Sequence, residues 1–353
     1  MKSRQIQLGG VLIGGGAPVS IQSMCNTNTG DAEVSLAQIA RLAALGCEII
    51  RLAVPEESVL PAFQRICAES PLPVIGDIHF DYRLALGALA AGAAGIRINP
   101  GNIRDVEKIR IIAREAARLG KVVRIGVNTG SLDPRIEERL GRTPEAMVES
   151  AMAYCRIFAE EGCTALKVSL KSSELKTTVH AARCFAECSD IPIHLGVTEA
   201  GTLKSGLLKS AIGIGSLLLD GIGDTIRVSL TAAPEEEVLA ARQILQAVGT
   251  HREGPEVVSC PTCGRTKIDL LPMVNAVENE LAHLAAEGKK LPWRKIAVMG
   301  CCVNGPGEAK DADIGIAGGN GNGILFQYGK AVCTLPEQEL LETLLQKIRQ
   351  AAQ

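Results

Sequence analysis

The chain has 353 residues, 46 % hydrophobic and 22 % charged, with a formal charge of −2. That balance excludes wholesale disorder and the basic footprint of a dedicated nucleic-acid binder. Aromatics make up only 3 % while glycine reaches 37 residues, a composition suited to close-packed α/β layers of Ile, Val, Leu and Ala.

The run I-Q-L-G-G-V-L-I (6–13) predicts a hairpin turning at Gly9-Gly10. Residues 5–30 carry no charge, yet Gly, Pro and Asn interrupt them too often for a membrane span or a signal peptide. A cytoplasmic protein with no membrane association is expected. From residue 19 onward, β-branched runs alternate with Ala/Leu/Glu/Arg-rich helical stretches. The runs fall at 19–23, 47–53, 73–78, 95–99, 122–128, 164–170, 191–197 and 224–230, with helical patterns between them, as at 32–45, 104–119, 144–161 and 174–188. This order predicts an α/β fold, a TIM-type (β/α)8 barrel over residues 1–250. A doubly wound open sheet is the alternative, but no G-x-G-x-x-G follows the first strand. T-H-R-E-G-P (250–255) reads as a linker. Residues 256–353 then change character: C-P-T-C at 260–263, an amphipathic helix near 268–287, a strand at 295–299, the loop C-C-V-N-G-P-G-E, three short strands within 313–334 and a helix from Pro336. This is a second, small α+β domain.

Five of the barrel runs place a cation among apolar residues: Arg51, Arg97, Arg124, Lys167 and Arg227. Strand side chains alternate with period 2, so Arg97 shares a face with Asn99, Arg124 with Asn128, Lys167 with Ser169 and Arg227 with Ser229. Helices cover the outer face of such a barrel, so the polar face points inward, toward the strand C-termini where these barrels keep their sites. Any one of these cations could be salt-bridged or snorkelling; five together need an anion, since a buried unpaired charge costs several kcal/mol. Arginine forks suit phosphate oxygens, and a small phosphate or diphosphate substrate follows. Asp77 and His79 end the third strand and Glu199 follows the seventh. Each is a candidate acid or base, or a partner that pins an arginine. His194 reads equally well as a hydrogen-bonded core residue.

Most of the twelve cysteines sit singly in apolar or helical stretches and read as reduced thiols. Cys260 and Cys263 differ, because C-x-x-C presents two thiolates from one turn. Cys301 or Cys302 can supply a third; for the fourth corner Cys333 is the only later cysteine, and Glu308, on a Gly/Pro turn, offers a carboxylate instead. Spacing alone leaves iron–sulfur and zinc both open.

Ordered motifs along nearly the whole chain resemble the bacterial 4-hydroxy-3-methylbut-2-enyl diphosphate synthase family of the non-mevalonate isoprenoid pathway. They include S-M-C-N-T-N-T, I-I-R-L-A-V-P, D-I-H-F-D-Y-R-L-A-L, G-I-R-I-N-P-G-N-I, V-R-I-G-V-N-T-G-S-L, L-K-V-S-L-K-S-S, H-L-G-V-T-E-A-G, D-T-I-R-V-S-L-T, V-S-C-P-T-C-G-R and N-G-P-G-E. The resemblance implies a barrel followed by a 4Fe–4S domain resembling a sulfite or nitrite reductase module, with one cluster per chain. It implies the two-electron reductive ring opening and dehydration of 2-C-methyl-D-erythritol 2,4-cyclodiphosphate. Arg51, Asp77, Arg97, Asn99, Arg124, Asn128, Lys167, Ser169, Arg227, Ser229 and Asn304 would then bind substrate. Cys260, Cys263, Cys301 and Glu308 would hold the cluster, with Glu199 and Glu308 catalytic. Reduced flavodoxin or ferredoxin would supply electrons to a homodimer that sets the barrel mouth of one subunit against the cluster domain of the other.

The chain departs from the family pattern at Cys25, where threonine is usual, and at Cys302, where an apolar residue is usual. Cys301 keeps the spacing to Glu308 and is the expected ligand. The linker lacks the large insertion of plant-type members. Two other readings are weighed against this one: a pteroate-synthase-like barrel enzyme, and a zinc-stapled binding module. C-P-T-C with N-G-P-G-E argues against the first.

Overall fold

The computed structural model describes residues 2–103, 105–250, 254–301, 307 and 309–353. Two compact units divide the chain, Met1–His251 and Arg252–Gln353. In the first, a hairpin of β1 (Ile6–Leu8) and β2 (Val11–Ile13) turns at Gly9, whose φ of 58° is one that glycine adopts without strain. Eight strands follow: β3 (Ser20–Met24), β4 (Ile49–Ala53), β5 (Val74–Ile78), β6 (Gly95–Ile98), β7 (Val122–Asn128), β8 (Leu166–Lys171), β9 (His194–Leu195) and β10 (Thr225–Ile226). They hydrogen-bond in parallel in the order β8-β7-β6-β5-β4-β3-β10-β9, and a bridge between Val168 and Ile193 brings the two ends together as a nearly closed barrel. The runs at 191–197 and 224–230 form ladders of only two residues each.

The helix Val106–Leu119 shows how the surrounding segments are specified. Asp105 caps its N-terminus by accepting from the Glu107 amide, Gly120 ends it at φ 62°, and Ile109, Ile112, Ala113 and Ala116 form one buried stripe. Such stripes meet the outward residues of the strands, among them Ile50, Leu52, Ile96, Ile98, Val123 and Ile125, in one continuous core. At the N-terminal end of the barrel, Ile6, Leu8 and Ile13 of the hairpin pack on Ile49, Ile75 and Val122 and close the floor.

The second unit holds the sheet β11 (Glu256–Ser259), β12 (Lys295–Met299), β13 (Ile314–Gly318), β14 (Asn322–Gln327) and β15 (Lys330–Pro336), in that order. β11 to β13 run parallel, whereas β14 and β15 return antiparallel. Helices Leu270–Ala286 and Glu337–Ala351 contribute Val277, Leu284, Leu340, Leu344 and Ile348 to a core with Ile296, Val298, Ile314 and Ile316. A smaller cluster of Ala297, Met299, Ala317 and Phe326 packs apart from it, with Cys260 against it.

Candidate active site: a cationic barrel mouth

Strand register brings the charged residues together. Met24 lies beside Arg51, and Asp77, Arg97, Arg124 and Lys167 stand side by side on β5 to β8. Period 2 then adds Gly126 and Asn128 on β7 and Ser169 and Lys171 on β8 to the same inward face. Thr225 pairs with both Ser20 and His194, which turns Arg227, two residues on, inward as well.

Asp77 holds two of the cations, with Arg97 Nη1 at 3.3 Å and Arg51 Nε at 3.8 Å; His79 Nε2 lies 3.9 Å away. Glu237 holds Arg227 at 3.3 Å and accepts the Leu230 amide with its other oxygen. The remaining donors find poor partners. Arg51 Nε and Nη2 point at Met24 Sδ, 3.1 and 2.9 Å away, and a thioether is a weak acceptor. Nε of Arg97, Nε and Nη1 of Arg124, Nε of Arg227 and Nζ of Lys167 are buried with no hydrogen-bond partner among the described residues. Leaving such groups unsatisfied is expensive, so the arrangement calls for an anion.

The electrostatics agree. Burial pushes the Asp77 carboxyl up, but Arg51, Arg97 and Arg124 outweigh it and hold the group below its ordinary value, so it is ionised. Burial, then Arg51 and Arg97, drives Arg124 in the direction of losing its proton. Burial first, then neighbouring cations, pushes the Lys171 amine well below the usual lysine value. His194 donates to or accepts from Thr225 Oγ1 through Nδ1 at 2.7 Å; burial, then Arg124 and Lys171, keeps its ring neutral.

Two inward glycines make room for these groups. A Cβ at Gly126 would lie 2.8 Å from Arg97 Nε, and one at Gly196 would lie 2.5 Å from Lys171 Nζ. The loops after β6 and β7 lock together, since Asn99 Nδ2 donates to Ser131 Oγ at 2.8 Å and its Oδ1 accepts the Gly101 amide. Glu199 stands exposed after β9 with φ 54°, a left-handed backbone that glutamate rarely adopts and that tends to mark functional positions.

Of the sequence-predicted substrate residues, Arg51, Asp77, Arg97, Asn99, Arg124, Asn128, Lys167 and Ser169 lie on or directly after adjacent barrel strands. Arg227 and Ser229 follow β10. Asn304, Glu308 and Cys302 lie outside the described residues. Lys171, Gly126, Gly196 and Ser131 are missing from the sequence reading. The signal for Lys171 was present: K-V-S-L-K repeats Lys167 and Ser169 at period 2.

In the second unit, parallel β11 and β12 end side by side, Ser259 opposite Val298, so Cys260 follows one strand and Cys301 the other. Cys260 Sγ accepts the Gly300 amide at 3.1 Å. Hydrogen bonds from the Arg265 amide, then from its side chain, hold the exposed Cys263 thiol below its ordinary value. Cys301 is buried. No group of three Cys, His, Asp or Glu is arranged to hold a metal among the described residues, which exclude Glu308 and Cys302. No helix among them is long and apolar enough to cross a membrane.

Fold and site together define a (β/α)8-barrel protein with a buried cationic interior and a second, thiol-bearing α+β unit. Residues 3–242 match the family model described as the GcpE TIM-barrel domain, and residues 256–350 match that of the GcpE protein C-terminal domain. The chain belongs to the GcpE family. A curated relative from Geobacter sulfurreducens is 49 % identical over 348 residues, 98 % of this chain and 97 % of its own. Another, from Caldanaerobacter subterraneus, is 50 % identical over 347 residues, 98 % of this chain and 96 % of its own. Both are named 4-hydroxy-3-methylbut-2-en-1-yl diphosphate synthase (flavodoxin). Among solved structures, dihydropteroate synthase from Thermus thermophilus aligns with a TM-score of 0.52 at 20 % identity, covering 70 % of this chain and 97 % of that one. That likeness is one of fold alone.

Proposed function

We propose that this chain catalyses the reductive ring opening and dehydration of 2-C-methyl-D-erythritol 2,4-cyclodiphosphate to 4-hydroxy-3-methylbut-2-enyl diphosphate. The observation that carries the reading is the inward set of Arg51, Arg97, Arg124, Lys167 and Arg227, with Lys171 on the same face and only Asp77 and Glu237 paired to the arginines among the described residues. The names of relatives sharing about half of their residues with this chain support the same conclusion. Likeness in fold to dihydropteroate synthase does not extend to function, and that enzyme's barrel spans only 70 % of this chain.

In the reaction a C–O bond to one phosphate breaks, a hydroxyl takes up a proton and departs as water, and two electrons enter from the reduced donor. The cations hold the diphosphate before ring opening and stabilise the freed phosphate afterwards. Asp77 serves as the clamp that keeps Arg51 and Arg97 in place, because it is ionised and already engaged by both. Glu199, held at the strand end by its strained backbone, presents a carboxylate that orients the reacting carbons or moves a proton there. Asn128, on the face of Arg124, and Asn99, directly after β6, are assigned to substrate contact.

The thiols fit a 4Fe–4S cluster: Cys260 accepts a backbone amide at sulfur, and Cys263 is biased toward thiolate. Cys260, Cys263 and Cys301 would hold it with Glu308 as the fourth ligand, and Asn304 beside it. Such a cluster supplies electrons one at a time and a Lewis-acidic iron. Reduced flavodoxin is the donor named for the relatives and is assigned here too. The family pattern extends the reading to a cytoplasmic homodimer.

Anaerobically purified protein is expected to be brown, to bleach with dithionite, to contain about four irons and four sulfides per chain, and to convert the cyclodiphosphate. A colourless, zinc-loaded and active protein overturns the reading. Cys301→Ser should abolish the cluster while Cys302→Ser retains it, and the reverse result reassigns the ligand.

A further inference from the structure

Lys167 differs from the other cations of the interior. It is 0 % exposed, in register with Arg124, and its Nζ has no hydrogen-bond partner among the described residues. Arg124 is its partner in register on β7, Lys171 shares its face of β8, and Arg51 on β4 is the other cation that acts on it. Asp77 on β5 is already engaged by Arg51 and Arg97, and Glu237, on the helix Pro234–Val248, by Arg227. His194 on β9 is neutral; Asp224, just before β10, accepts the Ser3 hydroxyl and the Ile193 amide, and burial pushes its carboxyl up, so it offsets the cations around Lys167 only in part. A buried ammonium in such company costs several kcal/mol. A guanidinium is held charged in proteins by its very high intrinsic basicity, whereas a lysine amine shifts readily when buried.

We propose that Lys167 takes up a proton when the diphosphate enters the barrel mouth, so that binding the anion and charging this amine are one coupled event. The inference rests on the substrate reading above. In the empty barrel, burial, then Arg124 and Arg51, pushes the Lys167 amine well below its ordinary value, against the weaker pull of Asp224. A bound diphosphate reverses the potential that the arginines impose, and the amine regains its proton. Each phosphorus of the cyclic ligand keeps a single strongly acidic oxygen, so the ligand itself does not titrate near neutrality.

Linkage sets the sign. Below the value that Lys167 has in the empty barrel the amine is already charged, and affinity is flat. Between that value and the higher one it has beside the bound diphosphate, affinity falls by up to about tenfold per pH unit for each proton taken up, and it is flat again above. Isothermal titration of the cluster-loaded protein with the cyclodiphosphate, in buffers of different ionisation enthalpy, counts those protons. Wild-type protein should show uptake, and Lys167→Met should lower it by about one proton per ligand and flatten the pH slope. Lysine labelled with carbon-13 at Cε reads the change from amine to ammonium in the unaltered protein, whether or not the variant folds. Buffer-independent heats, undiminished uptake in Lys167→Met, or a Cε resonance that ignores the ligand each overturn the coupling and leave the substrate reading standing. No binding heat at any pH overturns the substrate reading and the coupling with it.

Discussion

The floor and the mouth of the barrel are built by the same strands. β4 gives Ile49 to the floor and Arg51 to the mouth, β5 gives Ile75 and Asp77, and β7 gives Val122 and Arg124. Each pair is two residues apart, a rise of about 6.7 Å. Within that distance the interior changes from an apolar plug, sealed by Ile6, Leu8 and Ile13, to a set of under-compensated cations. The outward positions of the same strands remain apolar throughout. Stability is therefore placed in the floor and the helix-facing side, which leaves the mouth free to hold charges that destabilise the empty protein.

The sharpest test exchanges the two regions. Leu8→Ala should cost about 2–5 kcal/mol in denaturant melts, because it opens a cavity in the floor, while KM for the cyclodiphosphate stays unchanged. Arg124→Met should do the reverse. Substrate affinity should fall by roughly a hundredfold, or about 3 kcal/mol, and stability should hold or rise because an unpartnered buried charge is gone. A floor variant that alters KM, or an Arg124→Met protein that melts early, breaks the separation. Gly126→Ala probes the boundary: a methyl 2.8 Å from Arg97 Nε forces the guanidinium aside. It should cost about 1–3 kcal/mol in overpacking and weaken the cyclodiphosphate in the same titration.

A smaller effect distinguishes the regions by pH. The lysine values of Lys167 and Lys171 are depressed in the folded barrel by burial, so over the range between folded and ordinary values the unfolded chain holds protons that the native one lacks. Stability without substrate should therefore climb as pH rises through that range, by up to about 1.4 kcal/mol per pH unit for each proton, and level off above it. Lys167→Met should make the slope shallower, whereas Leu8→Ala should lower the whole curve without changing its slope.

The alternation of apolar runs made the barrel legible, and period 2 placed Arg51, Arg97, Arg124 and Lys167 on the inner face because that arithmetic needs no tertiary information. The hairpin at 6–13 was equally local, but its role as a floor was not, since it depends on which strand ends converge. β11 went unnoticed because V-V-S before C-P-T-C is too short to announce a strand on its own. Gly126 and Gly196 were illegible for a different reason. A glycine in a strand reads as a weakness until the side chain filling its vacant Cβ space, Arg97 or Lys171, is known from another strand. The pairing of Asp77 with two arginines, at 3.3 and 3.8 Å, likewise depends on distances that no strand pattern gives.

Glu199 gives the smallest and most discriminating test, because its backbone and its carboxylate can be separated. At φ 54° a non-glycine residue is strained by about 1 kcal/mol or more, and glycine is not. Glu199→Ala removes the carboxylate and keeps the strain; Glu199→Gly removes both. Turnover should collapse in each variant if the carboxylate acts on the reacting carbons, while the glycine variant should be the more stable of the two by about 1 kcal/mol. Equal stabilities would mean that the left-handed backbone is accommodated without strain. Turnover retained by Glu199→Gly would remove the carboxylate from the chemistry and leave the loop geometry as the requirement of the mouth, with the arginines carrying the reaction's electrostatic stabilisation without it.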